Sequence, residues 1–256
     1  MNRAPHIAKF LGKHLVWPIR KEYHKLHNFL AANSFGIRFY DSSLIRSIGT
    51  DCPATTDISD HLVTVFSDIV AAQPKLIVEL GTRGGESTKT ILAAASHSGA
   101  AVLSIDIHDC SGVDIPDEIK RNWTFIQADD VHFEKTKFCE WCAGRALHPI
   151  IDVLFIDTSH LYEHTVAEIK AWEPYVSANG LMILHDTNLK KLSRTHTNAI
   201  LNLGWENERG VMRAIEELVG KRFAENDFFV DVANGWLIRH HPNSFGLTML
   251  KRLPKH

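Results

Sequence analysis

Short apolar segments that alternate with helix-compatible stretches constrain the fold of this chain more than any other feature. Five of these segments are predicted strands, over residues 75–80, 101–107, 124–128, 152–156 and 180–184. Continuous apolar strands that alternate with helices are typical of a parallel sheet covered by helices on both faces. The helical spacing of apolar residues predicts helices after Asp57–Asp60 and over residues 87–95, 163–172 and 210–219.

The C-terminal part predicts a β-hairpin. Residues 228–232 and 236–238 flank the sequence Ala-Asn-Gly, which favours a tight turn. We therefore predict an α/β, Rossmann-like fold with a seven-stranded, mostly parallel sheet that ends in an antiparallel hairpin, with helices on both faces. The folded domain is predicted over residues 51–256.

Residues 1–50 differ in composition from this domain. The first 48 residues carry eight Lys or Arg against two acidic residues, and they hold seven aromatic residues. We predict a basic, aromatic-rich helical appendage, and a cover helix with a solvated basic face is the alternative. Because seven aromatic side chains are too many to leave in water, we expect a homo-oligomer in which residues 1–48 help to roof the ligand site. A peripheral contact with an anionic membrane is the second version.

The composition excludes several classes of protein. A net charge of −2 argues against nucleic-acid binding through bulk electrostatics. No apolar run approaches the roughly 18 residues of a membrane span, and no apolar core follows the first basic residues as in a secretory signal. Four cysteines are too few for a disulfide scaffold. We therefore expect a cytoplasmic protein.

The turn after the first predicted strand is rich in glycine. It follows the pattern E-x-G-x-x-x-G, with Glu79, Gly81 and Gly85 at the fixed positions. Glycine at a strand-to-helix turn lets backbone N–H groups approach a ligand. Arg83 occupies the second glycine position of a dinucleotide fingerprint, and no phosphate-binding G-K-[ST] sequence is present. A turn that needs glycine only for packing is the alternative.

Acidic residues end the next two predicted strands. Asp106 lies 25 residues after Gly81, where a nucleotide-binding unit of this class places a carboxylate on the ribose. Asp129 and Asp130 end the third strand. One acidic residue at a strand end is usually a solvated one, but acidic residues in register after successive strands indicate a nucleoside-binding edge.

Two further polar groups follow the fourth and fifth strands. The sequence Phe-Ile-Asp157-Thr-Ser-His160 continues into a predicted helix, and Leu-His185-Asp186 ends the fifth strand. With the glycine-rich turn, these segments resemble class I S-adenosylmethionine-dependent methyltransferases. They are most similar to a subfamily with the FIDxxH and HD motifs, related to metal-dependent macrolide-sugar and cephalosporin-tailoring O-methyltransferases. The resemblance covers about residues 57–240.

The resemblance implies an enzyme that transfers a methyl group from S-adenosylmethionine to the hydroxyl of a small molecule or sugar. The positions that match the cofactor-binding residues are Glu79, Gly81, Thr82, Gly85, Ser87, Asp106, Asp129 and Asp157. His160 matches the catalytic base, and Asp157 and Asp186 match the carboxylates that hold a divalent metal ion.

One position departs from the family pattern. His185 stands where the sugar-modifying enzymes have Glu, and we predict it as the third metal ligand beside Asp157 and Asp186. Mg²⁺ prefers oxygen ligands, whereas imidazole suits Zn²⁺, Fe²⁺ or Mn²⁺ better. The alternative is that His185 and Asp186 bind each other or the substrate, without a metal. A cephalosporin-hydroxylase-like enzyme and a non-catalytic S-adenosylmethionine-binding module are the alternative functions.

Overall fold

Ten strands, eight of them in one sheet, organise the computed structural model, which describes residues 56–194, 200–203 and 206–254. The strands are β1 (Leu76–Leu80), β2 (Ala101–Asp106), β3 (Trp123–Gln127), β4 (Ile151–Ile156), β5 (Val176–His185), β6 (Leu192–Arg194), β7 (Ile200–Leu203), β8 (Phe229–Ala233), β9 (Trp236–His241) and β10 (Leu247–Arg252). The main sheet has the order β3-β2-β1-β4-β5-β10-β9-β8, and β6 pairs with β7 separately. The appendage predicted over residues 1–50 lies outside the described residues.

Helices cover both faces of the sheet. They are α1 (Leu62–Ala72), α2 (Glu86–Ala95), α3 (Asp117–Lys120), α4 (Asp130–Phe133), α5 (Cys139–Ala143), α6 (Tyr162–Trp172) and α7 (Gly210–Val219). Apolar side chains of α1 and α2 pack on one face of the sheet, and those of α5, α6 and α7 pack on the other. Burying apolar surface on both faces explains why all five residues of β1 are buried.

The parallel half of the sheet contains β1 to β5 and positions the candidate site. β1 pairs with β2 and β4, β2 with β3, and β4 with β5, all in parallel. The carboxyl ends of these strands therefore meet at one edge, where doubly wound sheets bind their ligands. The segments that follow β1, β2, β3, β4 and β5 all begin at this edge.

The predicted sheet of seven strands was wrong, because the main sheet has eight. The strand missed is β10, which pairs antiparallel with both β5 and β9, so the predicted hairpin of β8 and β9 does not contact β5. Only the first four residues of β10 are buried, and Lys251 and Arg252 follow them. Four such residues followed by two basic ones give only a weak sequence pattern for a strand.

The other predicted elements are confirmed with small changes of bounds. The predicted strand over 180–184 is longer, since β5 begins at Val176 with residues that are partly exposed. Asp57–Asp60 forms a turn, and α1 begins at Leu62. In the part of the chain that the structure describes, no helix has the length and apolar character needed to cross a bilayer.

Candidate active site

The glycine-rich turn packs tightly against the end of β4. Gly81 has a φ of +87°, and a Cβ atom there would lie 2.0 Å from the carbonyl oxygen of Asp157. Gly85 has a φ of +80°, and its Cβ would lie 2.2 Å from a methyl group of Val113. Both positions therefore need glycine for packing and for backbone conformation. The structure thus favours packing as the reason for glycine at these two positions, whether or not the turn binds a ligand.

Asp106 holds this turn in place from β2. Its Oδ2 accepts hydrogen bonds from the backbone N–H groups of Thr82 at 2.9 Å and Arg83 at 3.1 Å, and its Oδ1 accepts from the N–H of His108 at 2.8 Å. Burial opposes ionisation of Asp106, but these N–H donors outweigh it and lower the pKa of the carboxyl group. Asp106 is therefore an ionised acceptor at the predicted ribose position.

Glu79 lies beneath the turn. Its side chain is fully buried and accepts hydrogen bonds from the hydroxyls of Ser87 at 2.8 Å, Thr88 at 2.9 Å and Ser104 at 2.5 Å. Burial raises the pKa of Glu79 to about 7, although the three hydroxyls oppose this shift. A cofactor contact of the Glu79 side chain, predicted from the sequence, does not fit this position. The Ser87 hydroxyl is likewise directed to Glu79.

Thr82 offers an unsatisfied polar atom in the same turn. Its hydroxyl oxygen is buried and has no hydrogen-bond partner among the described residues. A buried hydroxyl without a partner costs about 1–3 kcal/mol. A polar group of a bound ligand that reached this oxygen would satisfy it.

Four side chains from the ends of β4 and β5 converge at the centre of the edge. The Nδ1 atom of His160 lies 2.8 Å from Asp186 Oδ2 and 3.8 Å from Asp157 Oδ1. The Nδ1 atom of His185 lies 3.3 Å from Asp157 Oδ1 and 3.6 Å from Asp186 Oδ1. The structure therefore brings together the residues predicted for catalysis and metal binding.

Two residues of this cluster have an uncommon backbone conformation. His160 has a φ of +60° and Asp186 a φ of +58°. Residues other than glycine rarely adopt left-handed values, at a cost of about 1–3 kcal/mol each. Strain of this kind concentrates at functional sites, and here it aims two side chains from different strands at each other.

His185 has a different environment from that of a metal ligand. Its Nε2 lies 3.3 Å from the carbonyl oxygen of Ser244, which can only accept, so Nε2 carries a proton. Its Nδ1 faces the carboxylates of Asp157 and Asp186. Burial opposes the charge on His185, but these two carboxylates outweigh it and raise the pKa to about 10. Nδ1 is therefore the ring atom of His185 that could bind the metal ion predicted from the sequence, and the two carboxylates favour a proton there.

The charge on His185 lowers the pKa of the Asp157 carboxyl group. Burial disfavours ionised Asp157, but His185 outweighs burial and holds the pKa of Asp157 at about 2. His160 is also shifted: burial lowers its pKa, and the hydrogen bond to Asp186 more than offsets this, so the net direction is upward. Asp157, His160 and Asp186 are the three side chains here whose ligand atoms lie within 4.8 Å of one another.

The loop around Ser244, which the sequence analysis did not identify, contacts Nε2 of His185. The Nε2 atom of His61 lies 2.9 Å from the carbonyl oxygen of Asn243 and 3.2 Å from that of Ser244. Burial, aided by the charge on His185, lowers the pKa of His61 to about 3. The loop has positive φ at Ser244, Phe245 and Gly246. Nothing in the local sequence relates it to His185, because the contact spans 59 residues.

The two acidic residues after β3 have separate positions. Asp129 is exposed and caps α4 by accepting the N–H of His132 at 2.7 Å. Asp130 is buried and faces His164. Of the two, Asp129 is the one whose side chain remains open to the cofactor contact that the resemblance implies.

A cavity of about 360 Å³ opens beside the cluster. It begins at Thr187, directly after Asp186, and extends to Arg209, next to the residue whose backbone packs on the His160 carbonyl. Its lining includes Lys190, Glu206 and Glu225, so charges of both signs surround it. Most of its accessible lining is nevertheless apolar, so charged side chains surround a largely apolar pocket.

Comparison with known proteins agrees with this geometry. Residues 78–187, less than half of the chain, match the sequence profile of a family described as a methyltransferase domain. The match runs from β1 to the residue after Asp186, and so contains all the predicted site residues. No curated protein matches the chain in sequence.

Several solved structures share the fold. CalS11, a TDP-rhamnose 3′-O-methyltransferase of calicheamicin biosynthesis, is 14% identical, with 91% of this chain and 94% of that chain covered and a TM-score of 0.51. TomG of Streptomyces achromogenes, an O-methyltransferase of tomaymycin synthesis in complex with SAM, is 12% identical over 86% and 93%, with a TM-score of 0.52. An O-methyltransferase of Bacillus cereus in complex with SAH is 13% identical over 89% and 97%, with a TM-score of 0.52. The chain has the mixed α/β, Rossmann-like fold of these methyltransferases.

Proposed function

We propose that this protein is an S-adenosylmethionine-dependent O-methyltransferase that acts on a hydroxyl group of a polar small molecule, such as a sugar. The observation that carries the proposal is the contact between His160 and Asp186 at the carboxyl edge of the sheet. It lies within the segment that matches a methyltransferase domain.

The residues of the glycine-rich turn would hold the cofactor. Asp106 can accept a ribose hydroxyl through Oδ1, because Oδ2 already accepts two backbone N–H groups whereas Oδ1 accepts one. The unpartnered hydroxyl of Thr82 and the exposed carboxylate of Asp129 are further polar contacts. When bound, S-adenosylmethionine supplies a methyl group on a positively charged sulfur, which is already activated for transfer.

His160 would act as the general base. Asp186 engages Nδ1 of the ring, so the proton of the acceptor hydroxyl passes to Nε2 as the oxygen gains the methyl group. Asp186 fixes the ring orientation and stabilises the imidazolium that forms. Besides proton transfer, the main contribution of the protein to catalysis is to align the acceptor oxygen with the methyl group. The cavity that begins at Thr187, directly after Asp186, is the proposed acceptor site.

A divalent metal at Asp157, His160 and Asp186 fits less well. The set of one nitrogen and two carboxylates suits Mn²⁺ better than Mg²⁺. The buried charge of His185, which contacts both carboxylates, opposes a second cation beside it. We therefore propose that His185 supplies the positive charge that a metal ion would bring, and we derive no step through a metal.

The proposal is tested by separating binding from turnover. The full chain would be titrated calorimetrically with S-adenosylmethionine and then assayed for S-adenosylhomocysteine with a panel of sugar and phenol acceptors. We expect Asp106→Ala to weaken cofactor binding at least about tenfold, as loss of hydrogen bonds to a charged group implies. Asp109→Ala, three residues away on the exposed loop, should bind normally. His160→Gln should bind normally and lose turnover.

Each alternative has its own outcome. Failure of the wild-type chain to bind S-adenosylmethionine would contradict the proposal. Binding without any S-adenosylhomocysteine, across acceptors of different classes, would favour the non-catalytic module. Turnover that requires Fe²⁺, 2-oxoglutarate and O₂ would favour the hydroxylase-like enzyme.

A further inference from the structure

A second group of titratable side chains joins the end of β3 to helix α6. We call it the α4–α6 cluster, and it consists of Asp130, His164 and Glu168. His164 and Glu168 lie one helical turn apart on α6, and Asp130 is the first residue of α4. The Nε2 atom of His164 is 3.5 Å from Glu168 Oε1 and 3.7 Å from Asp130 Oδ2. The proposed methyl transfer uses none of these residues.

The cluster contains buried polar atoms that the described protein does not satisfy. Glu168 is fully buried, and Asp130 is 6% exposed. Glu168 Oε2 and Asp130 Oδ1 are both inaccessible to solvent and have no hydrogen-bond partner among the described residues. An unpaired carboxylate is expensive to bury, so two of them beside one imidazole require a positive charge or a proton.

The geometry is close to that of a metal site. The ligand atoms of the three side chains lie within 4.8 Å of one another. In a tetrahedral zinc site with bonds of 2.0–2.1 Å, ligand atoms lie about 3.3–3.4 Å apart, so the measured 3.5 and 3.7 Å need only a small closure. The His164 side chain is one-third exposed, which leaves an entry path and room for water as a fourth ligand.

We propose that Asp130, His164 and Glu168 bind a divalent cation of the Zn²⁺ class that links α4 to α6. Two carboxylates and a neutral imidazole carry a charge of −2, which a divalent ion balances in full. Mixed nitrogen and oxygen ligands suit Zn²⁺, whereas Mg²⁺ prefers oxygen alone.

The cluster also has an outer hydrogen bond of the kind that orients metal ligands. The hydroxyl of Thr158 donates to Glu168 Oε1 at 2.6 Å, and Thr158 directly follows Asp157 of the candidate active site. The ion would thus fix the segment that carries Asp157. Its role is structural, and the proposal stands whether or not the protein transfers methyl groups.

The test is a metal titration of the full chain after removal of bound ions with a chelator. Zn²⁺ binding would be measured by calorimetry, and Co²⁺ by the visible absorption of a tetrahedral site. We expect the wild type to bind one equivalent of the ion at the α4–α6 cluster. Both His164→Gln and Glu168→Gln should lose this equivalent. Thr158→Val should weaken binding about 10–100-fold, as is usual for loss of an outer partner.

The controls locate the ion within the chain. His132→Gln changes an exposed histidine two residues from Asp130 and should bind normally. His160→Gln removes a ligand atom from the active-site cluster and should leave this equivalent in place. Because Glu168→Gln keeps the shape of the side chain, it guards against simple misfolding, and Zn²⁺ should raise the Tm of the wild type but not of this variant.

Three results would overturn the proposal. They are a wild-type chain that binds no ion, binding that survives His164→Gln and Glu168→Gln, and binding that His160→Gln abolishes. Absence of binding together with a higher Tm for Glu168→Gln than for the wild type would show that Asp130 and Glu168 share a proton in place of a metal.

Discussion

The side chains of His160 and Asp186 meet at 2.8 Å although each residue holds a left-handed backbone, with φ of +60° and +58°. They follow different strands, and both turns must adopt an unfavourable conformation for the contact to form. Tight strand pairing between β4 and β5 fixes the two strand ends and can supply the free energy for this strain. The contact is therefore a rigid feature of the edge, which suits a base that must meet its acceptor in one orientation.

The first prediction concerns the pH dependence of turnover. Burial lowers the pKa of His160 and Asp186 raises it, with a net shift above 6.5. The neutral form is the base, so kcat/KM should rise with pH through an apparent pKa above 6.5. Asp186→Asn removes the negative charge but tolerates a positive φ, so this limb should move to lower pH while kcat falls. The measurement is the pH profile of kcat/KM for both proteins.

Two further variants give a scale for the shift in pH profile and the fall in kcat expected for Asp186→Asn. Asp157 lies 3.8 Å from the same nitrogen, so Asp157→Asn should shift the limb less than Asp186→Asn. His160→Gln should lose roughly 10²–10⁴-fold in kcat, the usual contribution of a general base. If Asp186→Asn does not shift the pH profile of kcat/KM, a group other than His160 accepts the proton.

The second prediction concerns metal removal. Since the buried charge of His185 already offsets one of the two negative charges of Asp157 and Asp186, turnover should not need a divalent ion. The Glu168→Gln variant is the right background because it lacks the α4–α6 cluster site. Dialysis of this variant against a chelator should change kcat by less than about twofold, whereas an enzyme that relies on a Lewis-acid ion loses most of its rate. Restoration of a lost rate by Mg²⁺ or Mn²⁺ would contradict the assignment of His185.

The sequence predicted the parallel half of the fold and the position of the candidate site. Residues in β1, β2, β4 and β5 are apolar because both faces of these strands are buried, and this pattern is visible without a structure. Carboxyl ends of parallel strands share one edge, so Asp157, His160, His185 and Asp186 could be expected to meet.

The sequence did not predict which partner each polar group takes. Asp129 and Asp130 are neighbours, yet one caps α4 and the other turns inward to His164, because the helix start rotates them apart. The partner of Nε2 of His185 is a carbonyl oxygen 59 residues away. Contacts of this range depend on loop paths, which leave no periodic signal. The sequence analysis also did not single out His164 and Glu168, although a spacing of four on a helix places them on one face.

The third prediction separates steric from conformational reasons for glycine. Gly81→Ala places a Cβ about 2.0 Å from the Asp157 carbonyl oxygen at a φ of +87°. The clash and the strain together should cost on the order of 3 kcal/mol or more in the free energy of unfolding. Gly99 has a φ of +73° with no atom near its Cβ, so Gly99→Ala should cost only about 1–2 kcal/mol. Urea denaturation compares the two, and equal losses would show that the close approach at Gly81 has no energetic consequence.

The last prediction concerns the buried carboxyl of Glu79. Its pKa is about 7 in the folded protein against 4.5 for an exposed Glu, so the folded state holds the proton more tightly. The stability from this proton is complete below pH 4.5 and is lost as the pH rises through 7, on the order of 3 kcal/mol in all. Glu79→Gln stays neutral, its amide oxygen can accept from the hydroxyls on one side and its NH₂ group can donate to the hydroxyl on the other, so its unfolding free energy should lack this decline. Denaturant unfolding between pH 4.5 and 7.5 would compare the wild type, Glu79→Gln and the exposed control Glu163→Gln. Parallel pH curves for the wild type and Glu79→Gln would mean that the three hydroxyls already hold Glu79 as a carboxylate.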